Sequence, residues 1–330
     1  VSQGRLVYNF ATGYRMTGDD AYLEACRRGA DFLASELRDP MHGGWYFACD
    51  IEGRIVDSRK DSYGHAFVVF GLSHAHHVTG DPRYASAAEE AWSMTSRRLG
   101  DGSGAVAPSA CRDFTAPARA RSQNPVMHLF EALLALATVG GRPQVRGDAS
   151  DLASFVLERL IGRPGQPLPE VYDDDWRPLE EADGGRIDVG HQLEWAFLLS
   201  RAVELGFPTE WLAWAEGLLD YAVAHGLDES GGVLSPAAPD GALSPNARRG
   251  WWEQCEALRA FGHWALVRGR DDLRERFERT LAWTREALVD AELGGWKSSP
   301  DDGRKGTEWK VDYHVVALCD EAARLLTARD

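Results

Sequence analysis

The chain has 330 residues, with 36 Lys and Arg against 51 Asp and Glu, so its formal net charge is −15. An acidic chain lacks the concentrated positive patch that a nucleic-acid backbone or an anionic membrane surface requires, and neither partner is expected. A composition that is 44% hydrophobic and 26% charged excludes disordered and collagen-like classes. These figures predict a globular protein with an uncharged partner.

Two further features bear on the compartment. The longest apolar runs, residues 66–72 and 132–137, fall well short of the roughly 18 residues that cross a bilayer, and residues 1–15 do not have the pattern of a signal peptide. The five cysteines are scattered and form no CxxC pair, which favours reduced thiols over zinc ligands or disulfides. We therefore expect a cytoplasmic protein.

The chain repeats itself with a period of about 60 residues. His65, His128, His191 and Gln254 follow one another at intervals of 63 residues, and His314 comes 60 residues later. The aligned segments are residues 60–73, 123–137, 188–201, 249–262 and 307–322, with a sixth copy expected at residues 5–10. Because these segments are apolar nearly all round, they are predicted to be inner helices.

Each inner segment is followed, after a short break rich in Gly, Asp or Pro, by an amphipathic segment that is predicted to be an outer helix. These outer segments lie near residues 22–37, 84–99, 150–161, 210–225 and 273–288. Alternating inner and outer helices predict an all-α toroid with six inner and five or six outer helices. Since a closed ring needs a twelfth helix, we expect a single domain over residues 1–330 that lacks an N-terminal outer helix.

The connections between helices are unequal in length. Those from inner to outer helices are short, whereas those from outer to inner helices are long and rich in Gly, Trp, Asp and Pro. Long loops carry function more often than short ones, and helix N-termini favour oxyanions and hydroxyl ligands. A pocket is therefore predicted at the first turns of the inner helices.

The first turns supply residues for proton transfer. A pair of histidines can hold one base and one acid near neutral pH, which suits proton abstraction next to a carbonyl. Glu194 lies one turn after His191 and can orient its imidazole or raise its basicity. Arg5 can stabilise an oxyanion, and Trp252 and Trp309 offer flat faces to a sugar ring. The structural alternatives are core histidines, a salt bridge from Arg5 to Asp61 or Glu194, and core packing of the tryptophans.

Five stretches, residues 59–67, 123–132, 190–195, 251–257 and 307–314, resemble the N-acylglucosamine 2-epimerase superfamily. It includes cellobiose 2-epimerases, mannose isomerases and sulfoquinovose-type aldose–ketose isomerases. The resemblance spans essentially the whole chain. It implies an (α/α)6 barrel that isomerises or epimerises an aldose through a cis-enediolate, with no metal and no cofactor.

The resemblance also assigns roles by motif position. His191 and His314 would be the catalytic acid/base pair, with Glu194 supporting His191. The residues implied to bind or line the sugar site are Arg5, Tyr63, Asn124, His128, Trp252 and Trp309. The stretch at residues 123–132 is most similar to that of mannose isomerases, so the expected substrate is a free monosaccharide of the mannose or fructose kind. A monomer or homodimer is expected.

Three alternatives stay open at this point. The same proton chemistry can give a sugar 2-epimerase acting on N-acylglucosamine, mannose, glucose or cellobiose. An inverting glycoside hydrolase of (α/α)6 fold needs two carboxylates roughly 6.5–9.5 Å apart, for which the candidates are Asp61, Asp188, Glu253 and Asp312. A sugar-binding protein without activity would need the tryptophans and Arg5 but not both His191 and His314.

Overall fold

A computed structural model describes residues 1–179 and 185–327 of the chain. The described residues contain eleven α-helices, and α6 continues as a π-helix at Phe155–Ile161. The helices are α1 Ser2–Thr17, α2 Asp20–Ser35, α3 Ser62–Thr79, α4 Pro82–Arg98, α5 Gln123–Thr138, α6 Pro143–Ser154, α7 Val189–Glu204, α8 Trp211–His225, α9 Trp251–Val267, α10 Asp272–Ala287 and α11 Tyr313–Thr327. The predicted order of six inner and five outer helices is confirmed for this part of the chain.

The chain divides into two compact units. The first comprises Val1–Arg159 and Val171–Arg177, and the second comprises Leu160–Glu170 and Pro178–Asp330. In the first unit α1 packs on α2 and α3, α3 on α4 and α5, and α5 on α6. In the second unit α7 packs on α8 and α9, and α9 packs on α10 and α11. The single domain over residues 1–330 that lacks an N-terminal outer helix stays a prediction.

Helix ends follow the predicted turn chemistry. Gly18 and Gly80 end α1 and α3 with a positive φ of 69°, the left-handed conformation that glycine adopts without strain. The next residues, Asp19 and Asp81, accept hydrogen bonds from the first turns of α2 and α4. A Gly-Asp pair therefore stops one helix and starts the next within two residues.

The long connections contain short antiparallel strands. They are β1 Ala48–Cys49, β2 Ile55–Asp57, β3 Lys60–Asp61, β4 Ser109–Ala110, β5 Arg121–Ser122, β6 Val171–Tyr172, β7 Ser235–Ala237 and β8 Leu243–Arg248. The pairs are β1 with β2, β3 with β4, β5 with β6, and β7 with β8. In each of these four pairs one or both strands lie directly before an inner helix or in the connection leading to it, so the pairs fix the approach of the chain to the first helical turns.

The structure corrects the register of the repeat. His65, Gln192 and Gln254 each accept a hydrogen bond from a loop backbone N–H, at 3.0, 2.8 and 2.8 Å. Each lies four residues after the N-cap of its helix. His65 therefore corresponds to Gln192, and the predicted equivalence of His65 with His191 was wrong. Spacing alone missed this because the inner helices α3, α5, α7, α9 and α11 start at intervals of 61, 66, 62 and 62 residues, not at a constant 63.

Two other expectations concern the membrane and the thiols. None of the helices in residues 1–179 and 185–327 is long and apolar enough to cross a membrane. All five cysteines are free thiols.

Candidate active site

Two histidines of the second unit each form a hydrogen bond with a glutamate. His191 is in the first turn of α7, and its Nδ1 lies 2.8 Å from Oε1 of Glu170. His314 is the second residue of α11, and its Nδ1 lies 2.7 Å from Oε1 of Glu256. All four of these side chains are buried. Since a carboxylate only accepts, each ring donates through Nδ1, and this hydrogen bond fixes the orientation of the ring.

The indole of Trp252 lies close to both imidazoles. Its ring centroid is 4.9 Å from that of His191 and 5.6 Å from that of His314, with interplanar angles of 43° and 42°. Trp252 is in the first turn of α9, which packs on both α7 and α11. The second unit thus brings together the three predicted residues His191, His314 and Trp252, each carried by a different helix.

The charges around His191 favour its protonated form. Burial by itself lowers the pKa of His191, but the negative charges of Glu170, Asp188 and Glu194 outweigh burial and raise the pKa to about 10. His191 is therefore an imidazolium ion at neutral pH. It can donate a proton to a bound molecule without first having to acquire one.

Glu194 lies on the same face of α7 as His191. Its charge is one of those that raise the pKa of His191, while the orienting hydrogen bond to the imidazole comes from Glu170. Glu194, Glu256 and His314 also place one ligand atom each within 4.8 Å of one another.

Among the described residues of the second unit, the side chains of this last cluster are close enough together to approach a common cation. However, Nδ1 of His314 and Oε1 of Glu256 are 2.7 Å apart, closer than the roughly 3.3 Å between two ligands of a tetrahedral zinc ion. Arg259 adds a positive charge 3.4 Å from the other oxygen of Glu256. As it stands, the arrangement suits a shared proton. The absence of a metal and of a cofactor stays a prediction.

The first unit holds a second cluster of predicted residues. Nη2 of Arg5 donates a hydrogen bond of 2.6 Å to the hydroxyl oxygen of Tyr63, and the guanidinium group lies 4.4 Å from the ring centroid of Phe67. The ring of His128 is 5.0 Å from that of Tyr63, and its Nδ1 lies 3.2 Å from Glu131. Arg5, Tyr63 and His128, from α1, α3 and α5, are therefore neighbours.

Asn124 and Trp309 were the remaining predicted site residues. Asn124 is in the first turn of α5, and its Oδ1 is buried with no hydrogen-bond partner among residues 1–179 and 185–327. An oxygen of this kind can accept a hydrogen bond from a hydroxyl group of a ligand. Trp309 is 50% exposed and lies in the loop before α11. The inner segment predicted to begin at residue 307 begins as a helix only at Tyr313, so Trp309 is on a loop.

Sequence reasoning missed both glutamate partners. Glu170 is one of several acidic residues in a long loop, and no spacing connects it to His191. Glu256 carried a usable signal: it is six residues after the N-cap Gly250, as Glu194 is six residues after the N-cap Asp188. Alignment on the helix starts would have paired Glu256 with Glu194.

Two of the four carboxylates considered for a hydrolase, Asp61 and Asp188, cap helices. Asp61 accepts a hydrogen bond of 2.8 Å from the backbone N–H of Gly64 and caps α3. Asp188 caps α7, where it accepts hydrogen bonds from the backbone N–H of Gly190 and the hydroxyl group of Ser235. The remaining two are Asp312, hydrogen-bonded to Lys310, and the buried Glu253. Two caps make poor acid/base catalysts because protonating them would weaken a helix start.

Comparisons with known proteins identify relatives of this chain. D-mannose isomerase from Thermobifida fusca is 31% identical over 294 aligned residues, which cover 83% of this chain and 70% of that protein. Cellobiose 2-epimerase from Bacteroides fragilis is 23% identical over 349 aligned positions, covering 97% of this chain and 86% of that protein.

Solved structures support the fold. A crystal structure of D-mannose isomerase superposes with a TM-score of 0.91 at 23% identity, covering 99% of this chain and 86% of that one. An unsaturated glucuronyl hydrolase from Bacillus sp. GL1 is more distant, with a TM-score of 0.69 at 14% identity and 97% and 85% coverage. The predicted all-α class of the (α/α)6 type is confirmed by these likenesses.

The family model described as N-acylglucosamine 2-epimerase (GlcNAc 2-epimerase) matches residues 1–317, nearly the whole chain. The match includes all five stretches on which the resemblance rested. The chain belongs to the N-acylglucosamine 2-epimerase family.

Proposed function

We propose that the protein is a sugar isomerase that interconverts a free aldose and its ketose, of the mannose and fructose kind, by proton transfer through a cis-enediolate. One observation carries the proposal: two buried histidines, each hydrogen-bonded through Nδ1 to a glutamate, have ring centroids 4.9 and 5.6 Å from that of Trp252. Relatives that are named D-mannose isomerase support the substrate class.

The charges suggest how the two histidines divide the work. His191 begins as the acid, because its pKa is raised to about 10 despite its burial. His314 then serves as the base. It removes the proton from C2 of the open-chain aldose, and His191 protonates the resulting cis-enediolate on the former carbonyl oxygen O1, which gives the enediol.

The second half of the reaction restores both histidines. His314 returns its proton to C1, and His191 takes the proton from the hydroxyl group on C2, which becomes the ketone. Glu170 and Glu256 hold the two rings in place through Nδ1, and the carboxylates near His191 stabilise its charged form. Trp252 offers a flat apolar surface next to the reacting carbons.

The remaining roles are proposals that rest on the family resemblance. Glu194 supports His191. Sugar binding belongs to Arg5, Tyr63, Asn124, His128, Trp252 and Trp309. A cytoplasmic monomer or homodimer without nucleic-acid or membrane partners completes the proposal.

A 2-epimerase is the second candidate, because a relative named cellobiose 2-epimerase covers 97% of the chain. The same pair of histidines would serve both outcomes. Reprotonation at C1 gives the ketose, whereas reprotonation at C2 from the opposite face gives the 2-epimer.

The test is a substrate screen in deuterated water. Mannose, fructose, glucose, N-acetylglucosamine and cellobiose are incubated separately with the protein, and NMR identifies each product and any deuterium at C1 or C2. Interconversion of mannose and fructose is the expected result. A C2 epimer without ketose would favour the epimerase, and release of a cleaved sugar from oligosaccharides would overturn both proposals.

A further inference from the structure

Glu253 is a buried carboxyl group with no role in the proton transfers described above. It follows Trp252 in the first turn of α9, and only 8% of its surface is exposed. Its Oε2 is fully buried and has no hydrogen-bond partner in the described ranges 1–179 and 185–327. One backbone hydrogen bond, from the N–H of Glu253 itself, favours the ionised form, but burial with one oxygen unpartnered makes ionisation costly, so this environment favours the neutral acid.

The side chain of Glu253 lies against two glycines. A methyl group on Gly250 would be 2.2 Å from Oε2 of Glu253, and one on Gly190 would be 3.1 Å from its Cγ. Gly190 directly precedes His191 in α7. The carboxyl group of Glu253 therefore occupies space that the missing side chain of Gly250 leaves open, and its Cγ packs against the turn of α7 that carries His191.

The charges that face Glu253 come from α7 and from the loop before it. Burial raises the pKa of Glu253 and the negative charge of Asp188 raises it further, while His191 and Arg186 act in the opposite direction, and the result is about 8. Glu170 and Glu194 also act on His191. His191 thus has three acidic neighbours that raise its pKa, Glu170, Asp188 and Glu194, and lies near a fourth carboxyl group, that of Glu253, which is mainly neutral at pH 7.

We propose that Glu253 is a positioning residue for His191, whose neutral carboxyl group supports proton donation near neutral pH and whose ionisation in the alkaline range slows it. The inference rests on the proposed role of His191 as the acid. A fourth negative charge would hold the proton on His191 more tightly and make its imidazolium a weaker acid. It would also disfavour the negative charge that develops on the substrate oxygens.

The test compares wild type with Glu253→Gln, which keeps the shape of the neutral acid and cannot ionise. We expect kcat/KM for mannose at pH 7 within about threefold of wild type, because the neutral form is preserved. The alkaline decline of wild type, with a midpoint near pH 8, should move upward by about one pH unit or more in the variant. Glu286→Gln, an exposed change on α10, is the matched control and should leave the profile unmoved.

Two results would overturn the proposal: the same alkaline limb in wild type and Glu253→Gln, or a profile that moves equally in Glu286→Gln. A second readout does not depend on turnover. Infrared difference spectra of wild type should show a buried protonated carboxyl band at pH 6 that disappears above pH 9 and is absent from Glu253→Gln. Lack of that band overturns the inference, even if the protein acts on a sugar other than mannose. If wild type shows no isomerase activity, that result by itself counts against the proposed function and not against the inference about Glu253.

Discussion

Two histidine–glutamate pairs of the second unit have hydrogen bonds of the same length, but the pKa values of their histidines are shifted in opposite directions. Nδ1 of His191 lies 2.8 Å from Glu170, and Nδ1 of His263 lies 2.8 Å from Glu321. Yet the pKa of His191 is raised to about 10, whereas burial lowers the pKa of His263 below its usual value. The hydrogen bond to a carboxylate therefore does not by itself keep a buried histidine protonated.

The difference lies in the neighbouring charges. His191 has Asp188 and Glu194 nearby in addition to its partner, and all three groups are negative. At the other pair, Arg324 donates two hydrogen bonds to Glu321, at 2.6 and 2.8 Å, and offsets its charge. Three negative groups keep His191 protonated, so it can act as an acid. At His263 the positive charge of Arg324 offsets that of Glu321, and we assign His263 a structural role.

The largest effect should come from removing the histidines of the candidate site. His191→Ala and His314→Ala are each expected to lower kcat by about 10²- to 10⁴-fold, the usual contribution of a general acid or base. Circular dichroism should show an unchanged helical content. The measurement is initial-rate kinetics with mannose and with fructose.

The matched control is His263→Gln. It should lower thermal stability, because it breaks the hydrogen bonds to Glu321 and Ser200, and leave kcat near the wild-type value. Near-wild-type turnover in either alanine variant would refute the assignment of the acid/base pair.

The next effect concerns the charge surplus. Glu170→Gln removes the carboxylate that is hydrogen-bonded to the His191 ring, and the pKa of His191 should fall by about 1 to 3 pH units. NMR titration of selectively labelled histidine measures this pKa. An unmoved titration curve would show that Asp188 and Glu194 suffice to hold the proton.

The reciprocal change tests the balanced pair. Arg324→Gln removes the positive charge that opposes Glu321, so the pKa of His263 should rise, in the direction already seen for His191. If His263 does not respond, burial rather than Arg324 decides its protonation.

A further effect is on the pH dependence of stability. Because the pKa of His191 is raised in the folded state, the stability that it contributes is fully present below the unfolded-state value of about 6.5. That stability is lost as the pH rises toward 10, at no more than about 1.4 kcal/mol per pH unit. His263 has a lowered pKa, so its contribution declines as the pH falls below about 6.5.

Urea unfolding between pH 5 and pH 10 measures both contributions. His191→Gln should flatten the decline of the unfolding free energy on the alkaline side, and His263→Gln should flatten the decline on the acid side. The opposite assignment of the two slopes would contradict the electrostatic difference between the pairs.

The alternation of inner and outer helices could be predicted from the sequence because it depends on local periodicity. Apolar residues all round mark α5 and α7, and Gly-Asp pairs mark the breaks after α1 and α3. The family could also be predicted, because its motifs are short contiguous stretches that can be read along the chain without knowing the tertiary structure; the stretch at residues 307–314 shows this, since most of it is a loop before α11.

The partners of the histidines were decided by the tertiary structure. Glu170 reaches His191 from a long loop, and no helical period predicts where such a loop will end. Glu256 is on α9 and His314 is on α11, so their contact depends on how these two helices pack on each other.

The sequence by itself determined which helices form and that histidines begin two of them. Only the tertiary structure decided which carboxylates surround each histidine, and hence that His191 carries a proton at neutral pH while His263 does not. The physical reason is that helix formation is governed by neighbours along the chain. A buried pKa is instead set by charges a few ångströms away in space, and these come from residues distant in sequence.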